Sequence, residues 1–335
     1  MWQSWVPRDM GDVPAPYEGV VIEAVSGDTI VVEPDKEGGV ERRISFSNVR
    51  APRIGNPRRG DEPAPWAHEA KEHIRKLLIG KRVRVISEYS RKAAEGMEHL
   101  PPRVYGAVLL LPPAHARGRK PVNVGVSVVT NGLAEVVRPY KDELPGDFFD
   151  DLMEAEENSK RNKKGKHGKR TAGVHRVTDV SGNAQRAREF YPFLQRGSGK
   201  HSAQVSFVMS GSRVKLFIPS ENCSVVFIVS GVRVPFAGSA PGRGPSGPSN
   251  TSTAETAIGN EAKHFLRRSL LQRDVSIEIE TMDQKGSLVG TLFADIEGKK
   301  TNVAVALLER GFGKVFEFSA DRSPYRNALM SAGEA

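Results

Sequence analysis

The densest concentration of charge in this sequence is a short basic segment. Between Lys160 and Arg170 there are seven Lys or Arg residues and no acid, in a chain of 335 residues with a net charge of +9. Clustered cations bind the phosphates of nucleic acids by charge and confer little sequence preference. A solvated, flexible linker is an equal alternative for a segment that also contains glycine. Its cations are Lys160, Arg161, Lys163, Lys164, Lys166, Lys169 and Arg170.

An acidic segment precedes the basic one directly. Asp142 to Glu157 contains eight acids and no Lys or Arg. The two segments can partly neutralise each other, which weakens the inference of a polyanionic partner. An acidic helix here would instead offer a docking surface for other proteins.

Other residue types that often carry chemistry are not arranged for it. His68, His73, His175 and His264 have no cysteine or carboxylate partners at metal-ligand spacing, so no zinc is predicted. The sequence contains no phosphate-binding glycine loop and no serine or cysteine nucleophile signature. The one cysteine, Cys223, lies in an apolar run and is predicted to be a buried structural thiol. No apolar run is long enough to span a membrane, so no membrane contact is predicted.

Most of the chain consists of two copies of one pattern. Gly27-Asp28 aligns with Gly211-Ser212, and Arg50-Ala51-Pro52 aligns with Arg233-Val234-Pro235. The stretches inserted between matches are rich in loop-forming residues, as expected if one fold is used twice. Further matches in the same order are Glu69-Ala70-Lys71 with Glu261-Ala262-Lys263, Asn123-Val124 with Asn302-Val303, Gly132 with Gly311, and Leu152-Met153 with Leu329-Met330.

Each copy has the element order of an OB barrel: three strands, a helix and two more strands. Two further helices follow, the first of them ending at Gly132 or Gly311. We predict an α+β fold of two tandem OB barrels, with a leader at 1–16, domains at 17–159 and 173–335, and a basic linker at 160–172. The predicted strands are Val20–Val25, Thr29–Val32, Arg43–Val49, Val83–Ser87 and Tyr105–Leu111, then Val205–Val208, Val214–Ile218, Val225–Val232, Val275–Glu280 and Leu288–Ala294. The predicted helices are Trp66–Leu78 with Val122–Asn131, and Glu261–Leu271 with Asn302–Arg310.

These motifs resemble the staphylococcal nuclease family, and more narrowly repeats three and four of Tudor staphylococcal nuclease (Tudor-SN) proteins. The resemblance extends from Glu18 onward. It implies OB barrels with a nucleic-acid-binding face, membership of RNA-silencing and RNA-processing ribonucleoproteins, and a Tudor domain that follows in a longer protein. Its most specific pieces are Ser26-Gly27-Asp28-Thr29, Ile44 through Arg53, His175-Arg176-Val177 with Asp179 and Ser181-Gly182, Phe193-Leu194-Gln195-Arg196, and Ser210-Gly211-Ser212-Arg213.

The resemblance also assigns nuclease roles to particular positions. Most of these positions carry other residue types in this chain. Nucleases of this family cut phosphodiesters with Ca²⁺ held by carboxylates, a glutamate that activates water and two arginines that neutralise charge on phosphorus. In the first copy, Asp28 keeps the first calcium carboxylate and Arg103 keeps one arginine. Arg50 replaces the second carboxylate, Arg53 replaces the glutamate, and Ser45 replaces the other arginine.

The second copy retains none of these roles. Its five positions are Ser212, Arg233, Phe236, Ile228 and Ser287. One carboxylate between two arginines is expected to bind Ca²⁺ poorly. Asp28 is therefore a possible calcium ligand only, and otherwise a turn residue that caps backbone amides.

The substitutions add positive charge where anionic ligands stood, which favours holding RNA over cutting it. The alternative is that these arginines are solvent-exposed residues of a loop and bind no RNA. The predicted RNA contacts are Arg50, Arg53, Arg103, Lys163, Lys164, Lys166, Lys169, Arg170, Arg213 and Arg233. Six aromatic residues are predicted to lie in the cores rather than stack on bases: Trp66, Tyr89, Tyr105, Tyr191, Phe193 and Phe207.

The leading prediction is a non-catalytic or weakly catalytic RNA-binding module for structured or double-stranded RNA. It would work with ribonucleoprotein proteins in the cytoplasm, with the nucleus as a further location, and it would need no cofactor. The first alternative is a Ca²⁺-dependent ribonuclease that uses Asp28 and Arg103 with acids recruited from Asp61 or Glu62. The second is a protein-interaction scaffold that docks partners on the acidic helix.

Overall fold

The computed structural model describes residues 13–36, 39–56, 60–91, 102–113, 115–116, 118–139, 145–170, 172, 176–236 and 253–334. Most of the predicted leader, most of the second-copy insertion and His175 lie outside the described residues. The chain divides into two units, Met1–His175 and Arg176–Ala335. The basic segment 160–170 therefore belongs to the first unit.

The first unit is built on a closed barrel of antiparallel strands with one parallel pair. The strands follow the order β3-β2-β1-β5-β6, and the barrel closes because β3 pairs in parallel with β6. A short ribbon of β4 and β8 lies beside it. The described strands are β1 (Tyr17–Ala24), β2 (Thr29–Pro34), β3 (Arg42–Phe46), β4 (Val49–Arg50), β5 (Arg82–Arg91), β6 (Arg103–Leu110), β7 (Val122–Asn123) and β8 (Glu135–Val136), and the helices are α1 (Ala67–Leu78), α2 (Val124–Thr130) and α3 (Phe149–Arg161).

The second unit repeats this topology. Its barrel order is β15-β14-β10-β11-β12, closed by the parallel pair β12 and β15, and the pair β13 and β17 repeats the short ribbon. The described strands are β9 (Thr178–Asp179), β10 (Lys200–Ser210), β11 (Arg213–Ile218), β12 (Cys223–Val229), β13 (Val232–Arg233), β14 (Asp274–Met282), β15 (Leu288–Ile296), β16 (Lys299–Asn302) and β17 (Lys314–Val315). The helices are α4 (Ala184–Leu194), α5 (Thr253–Leu270), α6 (Val303–Glu309), α7 (Glu317–Ala320) and α8 (Arg326–Glu334). The predicted pair of OB barrels is confirmed.

Matching glycines bring the same elements together in both units. A Cβ added at Gly27 would lie 2.5 Å from a side-chain carbon of α1 and 2.8 Å from one of the residue after β4. A Cβ added at Gly211 would lie 2.8 Å from a side-chain carbon of α5 and 2.5 Å from one of the residue after β13. Only glycine permits this approach, which explains why both copies carry it at the first turn of the barrel. The contacts are Gly27 with Ala70 and Ala51, and Gly211 with Ala262 and Val234.

Helix caps repeat in the same way. The side chain of Asn123 accepts a hydrogen bond from the Val126 N–H at the start of α2, and Asn302 caps α6 on the Ala304 N–H. Both helices end at a glycine with positive φ, Gly132 at 65° and Gly311 at 69°. The predicted helix ends are thereby confirmed to within two residues.

Not every element was predicted from the sequence. Helix α4 was missed because it buries only Ala187 and Leu194 and contains Pro192, so it lacks a clear apolar stripe. Cys223, by contrast, is fully buried as predicted, and burial raises the pKa of its thiol to about 11. Across the described residues, no helix combines the length and apolar character needed to cross a membrane.

The core placement predicted for the aromatic residues is wrong for two of them. Phe207 is 54% exposed and Phe193 is 42% exposed, whereas Tyr89 is buried. An irregularity in β10 between Val205 and Phe207 shifts the alternation of side chains, so that Val205 points inward and Phe207 outward. Phe193 lies on the poorly buried helix α4.

Candidate nucleic-acid interface

Asp28 lies in the turn between β1 and β2, where both of its carboxylate oxygens accept local hydrogen bonds. Oδ1 accepts from Ser26 Oγ at 2.6 Å and from Thr29 Oγ1 at 3.2 Å. Oδ2 accepts from the backbone N–H of Ala51 at 2.8 Å. The carboxylate thus joins the turn to the chain that follows β4, which is the geometry of a turn residue that caps backbone amides.

The surroundings of Asp28 do not fit a calcium centre. Calcium takes six to eight oxygen ligands, several of them usually carboxylates. No three His, Cys, Asp or Glu side chains lie close enough together to hold a metal ion anywhere in the described part of the chain. The next charged side chains along the chain from Ala51 are those of Arg50 and Arg53, and both residues are exposed.

Ser45, at the position where the family resemblance implies an arginine, is part of the barrel wall. It is 5% exposed, and its hydroxyl lies 3.0 Å from that of Thr29 on the neighbouring strand. Ser45 also pairs in register with Tyr105 of β6. A short, buried hydroxyl in this place holds strands together and offers no positive charge to a phosphate.

Arg53 and Asp61 form an ion pair across the loop that follows β4. The Arg53 side chain is 80% exposed and lies 2.7 Å from the Asp61 carboxylate. The backbones of Asn56 and Asp61 bridge the same loop. Exposed ion pairs of this kind contribute about 0–1 kcal/mol, so a phosphate can compete with Asp61 for Arg53. Asp61 is held by a cation here, and no hydrogen bond of the described residues joins it to Asp28.

Arg103 begins β6 on an exposed edge of the first barrel. It pairs in register with Arg91, whose guanidinium lies over the rings of Tyr89 and Tyr105 at 5.5 and 5.4 Å. The two tyrosine rings are themselves stacked, with centroids 4.7 Å apart. Among the described residues no hydrogen bond or ion pair joins Arg103 to Asp28, the two residues to which the family resemblance assigns nuclease roles.

The basic segment folds back onto the end of α2. Lys166 N–H donates to the Gly132 carbonyl at 3.0 Å, and a Cβ added at Gly132 would lie 2.2 Å from the Lys164 carbonyl oxygen. Gly165, with φ of 51°, packs equally closely against the Gly132 carbonyl. The backbone of the segment is therefore seated against the first barrel through two glycines.

Two acids orient two of the seven cations. Glu135 pairs with Lys166, and Glu156 pairs with Lys160 at 2.6 Å while accepting the Val136 N–H. Burial by itself would raise the pKa of Glu156, because it disfavours the charged carboxylate. The hydrogen bonds from Lys160 and Val136 have the larger effect and hold this pKa below its ordinary value. Within the described residues no acid pairs with the other five cations, all exposed: Arg161, Lys163, Lys164, Lys169 and Arg170.

The β4/β8 ribbon connects the basic segment to Arg50. Arg50 lies directly opposite Glu135 in this ribbon, and Glu135 is the partner of Lys166. Two predicted RNA contacts that are far apart in sequence thus share one edge of the first unit. We call Arg50 and the cations of segment 160–170 the basic surface of this unit.

The second unit has a different charge pattern at the equivalent ribbon. Arg233 lies opposite Lys314, so two cations replace the pair of opposite charges. Arg213 lies 3.7 Å from Asp283, which also accepts the Ser287 N–H at 2.7 Å. Ser212 adds no carboxylate to this turn.

The sequence of this chain is similar to those of known proteins. Residues 43–166 and 241–335 match the family model described as Staphylococcal nuclease homologue. The chain belongs to this family. Ribonuclease TUDOR 1 and Ribonuclease TUDOR 2 of Arabidopsis thaliana are each 36% identical to it over 99% of this chain and 34% of their own length. Staphylococcal nuclease domain-containing protein 1 of Schizosaccharomyces pombe is 30% identical over 95% of this chain and 33% of its own length.

The resemblance to Tudor-SN proteins is confirmed by these relatives. This staphylococcal nuclease homologue spans about a third of the length of the curated relatives it matches.

Sequence reasoning missed the acids that organise the basic surface. Glu135 lies three residues after Gly132, where α2 ends, and Lys314 lies three residues after Gly311, where α6 ends. The repeat alignment already placed them at equivalent positions, so their opposite charges were available as a signal. Glu156 carried no such signal, because its role depends on the backbone of β8.

Proposed function

We propose that this chain binds RNA through the basic surface of its first unit and does not cut it. One observation carries the proposal: five exposed cations lie at the end of α3 and on the loop that follows it. The backbone of this loop is seated on Gly132, and two lysines of the same segment, Lys160 and Lys166, are held by acids. Each phosphate neutralised by such a cation releases counterions, which drives binding. A loop that is already ordered loses less conformational entropy on binding than a free linker would.

RNA is the ligand favoured by the family. Two relatives carry the name ribonuclease, and the chain matches a nuclease family model. Contacts to phosphates read shape and spacing rather than base sequence, so structured or double-stranded RNA is the favoured form. We place the chain within a longer Tudor-SN-type protein acting in RNA-silencing or RNA-processing ribonucleoproteins of the cytoplasm.

The geometry around Asp28 supports binding without hydrolysis. Its oxygens accept hydrogen bonds from Ser26, Thr29 and the Ala51 N–H, and positively charged residues follow where calcium ligands and a catalytic base are expected. The competing function is a Ca²⁺-dependent ribonuclease, which the names of the Arabidopsis relatives favour.

A charge-reversal experiment on the full chain tests the proposal. The variant Lys163→Glu/Lys164→Glu/Lys169→Glu removes three exposed cations of the basic surface. The matched control, Lys36→Glu/Lys81→Glu/Lys120→Glu, makes the same change in charge at exposed positions of the same unit. Affinity for an end-labelled RNA duplex is measured at several salt concentrations. We expect the first variant to bind at least about tenfold more weakly and its log–log salt slope to become shallower by about 2, whereas the control changes far less.

Three results would overturn the proposal. Equal losses in the two variants would mean that net charge, not this surface, holds the RNA. Absence of RNA binding by the wild-type chain would remove the function altogether. Cleavage that requires both Ca²⁺ and Asp28, scored in the same lanes with chelator and with Asp28→Ala, would establish the ribonuclease instead.

A further inference from the structure

Among the described residues, the exposed phenylalanines belong to the second unit. In the described part of the chain, five phenylalanines are exposed, and all five belong to residues 176–335. The exposed large apolar residues of the first unit are Val40 and Val122. Clustered apolar groups on a surface mark places where another molecule binds. The exposed rings are those of Phe193, Phe207, Phe236, Phe316 and Phe318.

Two of these rings adjoin the pair of like charges in the β13/β17 ribbon. Arg233 and Lys314 lie directly opposite each other, an arrangement that destabilises a strand pair, and the described residues provide neither of them with an acidic partner. In the first unit the same two positions carry Arg50 and Glu135. An anion bound between the two cations would offset their repulsion.

Phe316 and Phe318 follow β17 of this ribbon along the chain. Phe316 extends the ladder by one residue, since its N–H donates to the Gly231 carbonyl at 3.1 Å. Its ring lies 6.2 Å from that of Phe318, which is 65% exposed and carries the Arg322 guanidinium at 4.4 Å. We call Arg233, Lys314, Phe316, Phe318 and Arg322 the cation–phenylalanine surface.

The charge of this surface is positive on balance. Glu317 is exposed within it, and Asp321 is neutralised by Arg326 at 2.8 Å. Three cations therefore face one acid that has no ion-pair partner among the described residues. This balance favours an anionic ligand that also presents flat rings.

We infer that the cation–phenylalanine surface binds single-stranded RNA, with phosphates at Arg233 and Lys314 and unpaired bases stacked on Phe316 and Phe318. Stacking on a side chain requires a base face that a duplex keeps covered by its neighbouring pairs, so this surface selects unpaired nucleotides. The inference rests on the proposed function and adds a second class of RNA to it. An acidic protein partner would use the cations but would not need the rings.

The test compares two labelled probes on the full chain: a 12-nucleotide oligouridine and a blunt RNA duplex. Phe316→Leu/Phe318→Leu keeps apolar bulk and removes both aromatic faces. Phe193→Leu/Phe207→Leu makes the same change at two exposed rings elsewhere in the second unit. We expect the first variant to lose at least about tenfold in oligouridine affinity and to bind the duplex within about twofold of the wild type. The second should retain its affinity for both probes.

A third variant separates binding from folding. Lys314→Glu restores the opposite-charge arrangement that the first unit has, so its thermal midpoint should equal or exceed that of the wild type. Its affinity for oligouridine should nevertheless fall several-fold, because a phosphate would meet a carboxylate. Lys299→Glu, at an exposed position of β16, is the matched control and should leave the affinity unchanged.

The outcomes distinguish the two proposals. If the wild type binds the duplex and the Phe316/Phe318 variant still binds oligouridine normally, the inference is overturned and the proposed function stands. If both leucine pairs lose affinity equally, the ribbon has no special role and the inference is again overturned. If the wild type binds neither probe, both proposals fail.

Discussion

At the scale of single residues, Ser212 does not share the structural role of its counterpart Asp28, which accepts hydrogen bonds through both carboxylate oxygens. Its carboxylate joins the β1–β2 turn to the Ala51 N–H, whereas Ser212 has no side-chain hydrogen bond among the described residues. Removing an acceptor from a partly buried N–H usually costs more than the hydrogen bond itself contributes, because the donor is left without a partner.

Asp28→Ala should therefore lower the free energy of unfolding by about 1–3 kcal/mol. Ser212→Ala, the matched change in the second unit, should stay within about 0.5 kcal/mol. Urea unfolding followed by circular dichroism measures both. A wild-type midpoint that rises with Ca²⁺ and loses this rise in Asp28→Ala would instead identify Asp28 as a metal ligand.

Two partly buried histidines should make the first unit sensitive to acid. Burial lowers the pKa of His73, and burial together with the charges of Lys166 and Lys160 lowers the pKa of His167. Because the pKa is lower in the folded state, the unfolded chain binds more protons. The free energy of unfolding therefore falls as the pH drops below 6.5, the pKa of histidine in the unfolded chain.

Unfolding in urea at pH 7.5 and pH 5.5 measures this effect. We expect the wild type to be less stable at pH 5.5, and His73→Gln and His167→Gln each to reduce that difference. If neither substitution changes the pH dependence, these imidazoles are not the groups that titrate.

At the scale of elements, the ends of α2 and α6 offer a matched pair of glycines. Both have a positive φ, but a Cβ at Gly132 would collide with the Lys164 carbonyl, while a Cβ at Gly311 would meet nothing within 4 Å. The basic segment depends on Gly132 for its seat, and no described residue rests on Gly311 in the same way.

Gly311→Ala should cost about 1–2 kcal/mol from left-handed backbone strain and leave RNA binding intact. Gly132→Ala should cost more, release the basic segment to cleavage by trypsin and weaken duplex RNA binding. Limited proteolysis and RNA affinity are read on the same samples. Equal behaviour of the two variants would mean that the segment does not need its seat on α2.

At the scale of the whole molecule, the two units should be separable. Each barrel closes through pairings within its own unit, and the apolar core of the first is formed from residues of that unit alone. A chain that contains a complete barrel and core is expected to fold by itself.

Fragments 1–175 and 176–335 should each unfold cooperatively, and they should divide the two RNA activities. The first should retain duplex binding with a steep salt dependence, and the second should retain oligouridine binding. Circular dichroism and fluorescence anisotropy provide the two measurements. Folded fragments that both prefer the same probe would contradict this division.

What the sequence determined by itself is the repeated architecture. Glycines that permit close packing, asparagines that cap helices and glycines that end them are local requirements, so Gly27 with Gly211 and Asn123 with Asn302 identified two equivalent barrels before any contact was known.

Tertiary structure alone decided how the charges and rings are used. The seat of the basic segment on Gly132, the opposition of Arg50 and Glu135, the capture of Asp61 by Arg53 and the exposure of Phe318 depend on strand pairing and solvent access between residues distant in sequence. Residue type and spacing cannot specify such contacts, because one side chain can be an ion-pair partner, a free cation or part of a core according to what the fold places beside it.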